Sequence, residues 1–299
     1  MRTIFISSFH QLISRNILGT PLLDFLLASG GIRIVLLVPL EKQDFFKKEF
    51  GRKDVFIEGV SRQLKKRDAF LRYLSLSAVD TKAIEVIRRR EFNRISSRLF
   101  RIIGGRRLGQ NAIRLVDGLL TPRGRFAALL DRYRPDLILS TDVQNENDVR
   151  LMHEARSRNI PVVGMVRSWD NFTTKGPLRV LPKALVVPNE IVKQEAITLS
   201  FVPEERIVPV GIPHYDRYLK PTAESRDAFC RRMGLGTAKK IILFSPIGNR
   251  FIRNNLLDKL VLETLSAIDA SILVRIPPTD DVMLDGFKSK KANAVFDIS

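Results

Sequence analysis

Residues 32–38 read IRIVLLV, a run of β-branched residues and leucine broken by one arginine. A short continuous run of this kind marks a strand buried on both faces, as in parallel sheets. Immediately before it stand Gly30 and Gly31, which end a buried helix expected over residues 17–29 (ILGTPLLDFLLAS). Before that, Thr3–Ser8 is an apolar run and reads as a first strand, since it is too short for a signal peptide. On the other side, Glu41–Phe50 reads as a helix stopped by Gly51, and Asp54–Glu58 (DVFIE) as a third strand. Strand and helix in this alternation imply an α/β fold with a parallel sheet and right-handed crossovers.

The rhythm breaks over residues 61–134, which lack strand-like runs and are rich in Arg, Leu and Ile. Three or four helices are expected there as an insertion. In residues 84–103, Ile84, Ile87, Phe92, Ile95 and Leu99 recur at helical steps with arginines 88, 89, 90, 94, 98 and 101 largely between them, the pattern of an amphipathic basic helix. The strand rhythm returns with Asp136–Ser140, Pro161–Val166, Lys183–Val187 and Arg206–Val210, with helices over 145–158 and 190–200. A boundary is expected near Leu219–Ala223, giving a first Rossmann-like domain over residues 1–218 and a second over 219–299. The second starts with a helix over 224–233, then strands at Lys239–Ser245, Ser271–Arg275 and Asn293–Ile298 and a helix over 255–268. With three strands where a nucleotide-binding half has five or six, it reads as cut short.

Composition narrows the function classes. The 299-residue chain holds 50 Lys and Arg against 32 Asp and Glu, a formal net charge of +18. Residues 85–134 carry 13 arginines, no lysine and four acidic residues, so half the excess sits in a sixth of the chain. Such a surface attracts polyanions: nucleic acid, anionic lipid or phosphorylated substrates. Nucleic acid is disfavoured, because from Arg88 to Arg114 no aromatic residue other than Phe92 and Phe100 interleaves with the arginines, and those two fit the apolar face. Cys230 is the one cysteine, which excludes an internal disulfide and a cysteine-rich zinc site and fits a reducing compartment. His10, His153 and His214 lack metal-ligand spacing, so no metal is expected. Walker, G-x-G-x-x-G, G-x-S-x-G and H-E-x-x-H motifs are all missing.

Candidate site residues are therefore the polar ones just after strand ends, where open α/β sheets bind ligands. After the first strand come His10, then Asn16, Gly19 and Thr20; after DLILS come Asp142 and Asn145. After PVVGMV comes Ser168–Gly176, which holds Trp169 as a stacking surface, Asp170 and Asn171 to orient hydroxyls or take a proton, and Thr173, Thr174 and Lys175 to meet a phosphate. After RIVPV comes Gly211-Ile212-Pro213-His214-Tyr215-Asp216. In the second half, Ser245, Gly248, Asn249 and Arg250 follow one strand, and Arg275 ends the next.

Ser168-Trp169-Asp170-Asn171-x-Thr173-x-Lys175-Gly176, followed by an apolar strand to Asn189-Glu190 and by Val210-Gly211-x-Pro213-x-x-Asp216, resembles the GT-B glycosyltransferase superfamily. Within it, the likeness is to CDP-glycerol glycerophosphotransferase-like and UDP-GlcNAc 2-epimerase-like proteins of cell-envelope polysaccharide pathways. It is firmest over residues 136–216 and extends to 1–60. Trp169, Lys175, Gly211, Pro213 and Asp216 match the pattern; Asp170 stands where that pattern has histidine and His214 where it has arginine, so the family's acid/base histidine is not carried over. The resemblance implies two Rossmann-like domains facing a cleft, with a nucleotide-activated donor held mainly by the second (Ser245, Gly248, Asn249, Arg250, Arg275, with Gly211 from the first) and a glycan or lipid-linked acceptor on the first (Asn16, Gly19, Thr20, Asp142, Asn145, Trp169, Asn171, Thr173, Lys175). Asp170 and His214, and more weakly His10, are the acid/base candidates. It also implies chemistry without a metal or other cofactor, in the cytoplasm or at the inner face of the plasma membrane, with Arg88–Arg114 against anionic headgroups. The alternatives are a nucleotide-sugar 2-epimerase and a basic nucleic-acid- or membrane-binding protein without catalysis.

Overall fold

A computed structural model describes residues 1–64, 66–76, 78–91, 105–219, 221, 224–237, 240–248, 255–276 and 294–297. The chain divides into two compact units, Met1–Leu219 and Lys220–Ser299.

In the first unit, strands β1 (Arg2–Ser7), β2 (Ile32–Pro39), β3 (Val55–Val60), β4 (Leu137–Ser140), β5 (Val162–Met165), β6 (Ala184–Val187) and β7 (Ile207–Pro209) form one sheet in the order β3-β2-β1-β4-β5-β6-β7. Every adjacent pair is parallel. Ile34 through Val38 are each 0% exposed, which accounts for the unbroken apolar run. Val35 and Leu37 enter the core on one face of the sheet; Ile34, Leu36 and Val38 enter the core on the other.

The helix expected over 17–29 is in fact two pieces. A π-helical turn, Ser14–Leu18, is followed by helix α1, Leu22–Ala28, with Pro21 at its N-cap. Proline's fixed φ suits a helix start but blocks continuation from the preceding turn, and the Thr20 hydroxyl donates to the Ile17 carbonyl at 2.6 Å to close that turn. Helix α2 (Gln43–Phe50) ends at Gly51.

The insertion contains helices α3 (Lys66–Leu76), α4 (Lys82–Glu91), α5 (Arg107–Leu120) and α6 (Ala127–Tyr133). The expected basic helix over 84–103 coincides with α4 at its start; residues 92–104 lie outside the described residues. A buried ion pair and a buried hydrogen bond fasten the insertion to helix α7 (Glu146–Ser157), which follows β4. Arg150 on α7 meets Asp68 on α3, with Nε 3.1 Å from Oδ1, and His153 on α7 meets Asp117 on α5 at 2.7 Å. Helix α8 (Glu190–Ser200) is capped by Asn189, whose side chain accepts from Val192 N–H.

The second unit holds helix α9 (Arg226–Met233), strand β8 (Ile241–Phe244), helix α10 (Leu257–Ser266), strand β9 (Ser271–Arg275) and strand β10 (Ala294–Asp297). Its strands pair in parallel in the order β10-β9-β8. Among the described residues, β9 is the most buried, as expected of the middle strand.

Candidate functional site

Strand order in the first unit reverses between β1 and β4: the chain runs outward to β2 and β3, then returns to the far side of β1. At such a switch point the connections leave in opposite directions and open a crevice beyond the strands' carboxyl ends. A cavity of about 860 Å³ lies there. Its wall takes Phe9 and His10 from beyond β1, Ser61 and Arg62 from beyond β3, Asp142–Asn147 from beyond β4 and Arg167 from beyond β5. Arg72 of α3 closes one side, and Lys175 and Arg179 come from the segment after β5.

Asp142 organises the wall. Arg167 Nη1 donates to its Oδ2 at 2.7 Å, and Lys175 Nζ stands 4.0 Å from its Oδ1. The Asp142 side chain is 2% exposed and that Oδ1 has no hydrogen-bond partner among the described residues. Behind it, Asp148 on α7 is fully buried; the hydroxyls of Ser7 and Ser140 both donate to its Oδ1. Burial first, and then the charge of Asp142, push the Asp148 carboxyl up to about 8. At neutral pH it is chiefly the neutral acid, tying β1 to β4 directly beneath the cavity.

His10 is held below its ordinary pKa by burial and then by the nearby Arg167. Its Nδ1 accepts the backbone N–H of Leu12 at 3.2 Å. The neutral ring therefore carries its proton on Nε2 and acts as a donor.

Of the residues picked from sequence, the cavity gathers His10, Asp142, Asn145 and Lys175. Asn145 also caps α7, accepting from Asn147 N–H at 3.0 Å. Asn16, Gly19, Thr20, Trp169, Asp170, Asn171, Thr173, Gly211 and His214 do not line it. Asn16 sits in the π-helical turn, which packs against the 3-10 turn Pro213–Leu219 that holds His214. Trp169 is 72% exposed. Asp170 precedes a one-turn helix, Asn171–Thr174, and its carbonyl accepts the hydroxyls of Thr173 and Thr174 at 3.0 and 2.8 Å. Those hydroxyls are thus engaged within the loop. Asn171 is fully buried. Gly176 (φ +83) lies so close to α3 that a Cβ would stand 2.9 Å from the Ser75 carbonyl oxygen, and its own carbonyl accepts from Gln144 at 2.6 Å. This approach fixes where Lys175 emerges.

In the second unit, Ser245 is exposed and Gly248 is buried with φ +76. The backbone N–H groups of Ile247 and Gly248 donate to the Asp258 carboxylate at 3.0 and 2.8 Å. Two donors expected to meet a phosphate are therefore taken by the chain's own side chain. Arg275 ends β9 in an exposed position; Asn249 and Arg250 lie outside the described residues.

One member of the expected basic face turns inward. Arg114 Nε donates to the Leu178 carbonyl at 2.9 Å, its Nη2 donates to the Ser200 carbonyl, and burial lowers its pKa to about 10. The carbonyls at the end of α8 need donors, and Arg114 supplies one. It is not available to a headgroup.

Sequence reading missed Arg62, Arg72 and Arg179. Arg62 follows β3 and obeys the rule that flagged the others, but it stood at the edge of a stretch read as an insertion. No local signal marks Arg72 or Arg179.

Among the described residues no group of three or more His, Cys, Asp or Glu could hold a metal ion, and no helix is long and apolar enough to cross a membrane. No protein-family model and no curated protein matches the sequence. Solved structures do match in fold. The glycosyltransferase of kitacinnamycin has a TM-score of 0.53 at 13% identity, over 99% of this chain and 70% of that one. MnaA of S. aureus with UDP has a TM-score of 0.53 at 12% identity, over 92% and 63%. UDP-GlcNAc 2-epimerase from Neisseria meningitidis bound to UDP-GlcNAc has a TM-score of 0.51 at 14% identity, over 92% and 65%. The chain thus spans less than two thirds of the length of the last two. The likeness is one of fold alone, the α/β fold shared with these glycosyltransferase and UDP-GlcNAc 2-epimerase structures.

Proposed function

We propose that this chain is a GT-B-type glycosyltransferase that moves a sugar or polyol-phosphate from a nucleotide-activated donor to a glycan or lipid-linked acceptor. The observation that carries the reading is the cavity at the switch point, where residues from beyond β1, β2, β3, β4 and β5 converge with helix α3. The acceptor occupies this cavity. UDP and UDP-GlcNAc in two structures of the same fold support a nucleotide donor, and residues of the second unit around Ser245, Gly248, Asn249, Arg250 and Arg275 hold it. The acceptor oxygen attacks the donor carbon or phosphorus, the bond to the leaving nucleotide breaks, and the acceptor proton passes to the departing phosphate. Basic groups stabilise the leaving phosphate without a metal.

The finer proposal is that the protein works against an anionic bilayer. Helix α5 is built inside out. Its inward face carries Gln110, Ile113 and Asp117, while Leu108, Leu115 and Leu119 are 84, 66 and 75% exposed. Exposed Arg106 and Arg107 precede this stripe, exposed Arg123 follows it, and its one acid, Asp117, is buried. An apolar stripe with cations at both ends fits a headgroup boundary.

A thermal-shift panel of UDP-, CDP-, GDP- and TDP-activated donors tests the transferase reading. A donor at about 100 times its Kd stabilises by about 2.7 kcal/mol, so at least one member shifts the unfolding temperature by several degrees. Silence from all of them rejects the reading.

A further inference from the structure

We propose that the acceptor held in the first unit's cavity bears a phosphoryl group, bound by Lys175, Arg167 and Arg72. This rests on the reading of the cavity as the acceptor site and names the chemistry of what enters it.

Two of the cavity's five cations are already matched: Arg179 is held by Asp117 and Glu146, and Arg62 pairs with Glu41. That leaves Arg72, Arg167 and Lys175 around one carboxylate, Asp142. Arg167 spends Nη1 on Asp142, while its Nε is buried without a partner among the described residues. Lys175 Nζ, 4.0 Å from Asp142, is beyond hydrogen-bond distance. Arg72 is exposed, lines the cavity and has no carboxylate partner among the described residues.

Three cations against one carboxylate leave two positive charges unmatched. A carboxylate ligand would neutralise one; a phosphomonoester brings about −1.5 to −2 near neutral pH and three acceptor oxygens. Arginine forks and a lysine ammonium are the donors that suit such a group. His10 adds a neutral donor at Nε2. The acidic groups facing the cavity, Glu41, Asp142 and Glu146, are each engaged by one of its arginines, so an entering anion meets no unpaired carboxylate.

Isothermal titration of the full chain with phenyl phosphate, benzoate and UDP tests this. Phenyl phosphate is expected to bind, with affinity falling about tenfold or more in Lys175→Gln and in Arg72→Gln, while Lys193→Gln, which does not line the cavity and is paired with Glu204 at 3.0 Å, leaves it unchanged. Arg72 is exposed, so its variant reports even if Lys175→Gln unfolds. Benzoate binding as tight as phenyl phosphate, or affinities that ignore both substitutions, overturns the proposal. UDP separates the two readings. UDP binding that is unaffected by Lys175→Gln, in a chain with no phenyl phosphate site, removes the phosphoryl assignment alone. UDP competing for the phenyl phosphate site makes the cavity a donor site and overturns the acceptor reading together with this proposal.

Discussion

Arg179 grips Asp117 with two nitrogens, Nε at 3.0 Å and Nη2 at 2.7 Å, and so clamps the inserted helix α5 to the segment that delivers Lys175. Its Nη1 meantime donates to both oxygens of Glu146 at 2.7 and 2.6 Å. All three side chains are buried. Burial opposes the Arg179 charge, but the two carboxylates outweigh it and hold the guanidinium above its ordinary pKa.

Arg179→Met strands the buried Glu146 carboxylate and leaves Asp117 with His153 alone. Breaking one partner of such a network costs about 3–5 kcal/mol, so urea unfolding should shift by that amount. A loss within about 0.5 kcal/mol, the range of an ordinary surface substitution, would show that the clamp does not hold the insertion.

Asp148 should make stability fall with rising pH. Its folded pKa, about 8, lies above the ordinary 3.8, so between those values the native state holds a proton that the unfolded chain releases. That contribution is complete at low pH and is lost as pH rises toward 8, by at most about 1.4 kcal/mol per unit. Asp148→Asn keeps an acceptor for Ser7 and Ser140 and removes the titration. The variant should gain on the wild type steadily from pH 5 to 8. Parallel stability curves would contradict the assignment.

Gly176→Ala combines a left-handed backbone with a Cβ 2.9 Å from the Ser75 carbonyl oxygen. Conformational strain of this kind costs about 1–3 kcal/mol, and displacing Lys175 should weaken anion binding as well. Gly211→Ala has φ +80 but open space around it, so it should destabilise less and leave the cavity alone. Equal effects at the two positions would deny the close approach its role.

Leu115→Glu with Leu119→Glu should abolish flotation on vesicles containing anionic lipid, while thermal unfolding stays near the wild type because both positions are exposed. Unchanged flotation would detach the bilayer from helix α5. A dimer in the wild type that becomes a monomer in the variant would assign the stripe to a second copy instead.

Some of the site was readable in the chain and some was not, for a physical reason. His10, Asp142 and Lys175 follow strands whose apolar runs are plain in the sequence, and a parallel sheet sends all its strand ends to one edge. Asp170, Thr173 and Thr174 look equally chemical in the same loop, yet they close a turn on one another. Local sequence does not tell a hydroxyl that faces a ligand from one that caps its own backbone.

IRIVLLV and its neighbours by themselves determined a doubly buried parallel strand, and the alternation around them determined an α/β chain. That holds because burial on both faces is written into consecutive residues. Which arginines face the cavity, which lock the insertion and which turn inward, as Arg114 does, only the tertiary structure decided. The thirteen arginines of residues 85–134 are alike in sequence; among the described ones, Arg114 is set apart by the Leu178 and Ser200 carbonyls that the fold brings within hydrogen-bond reach.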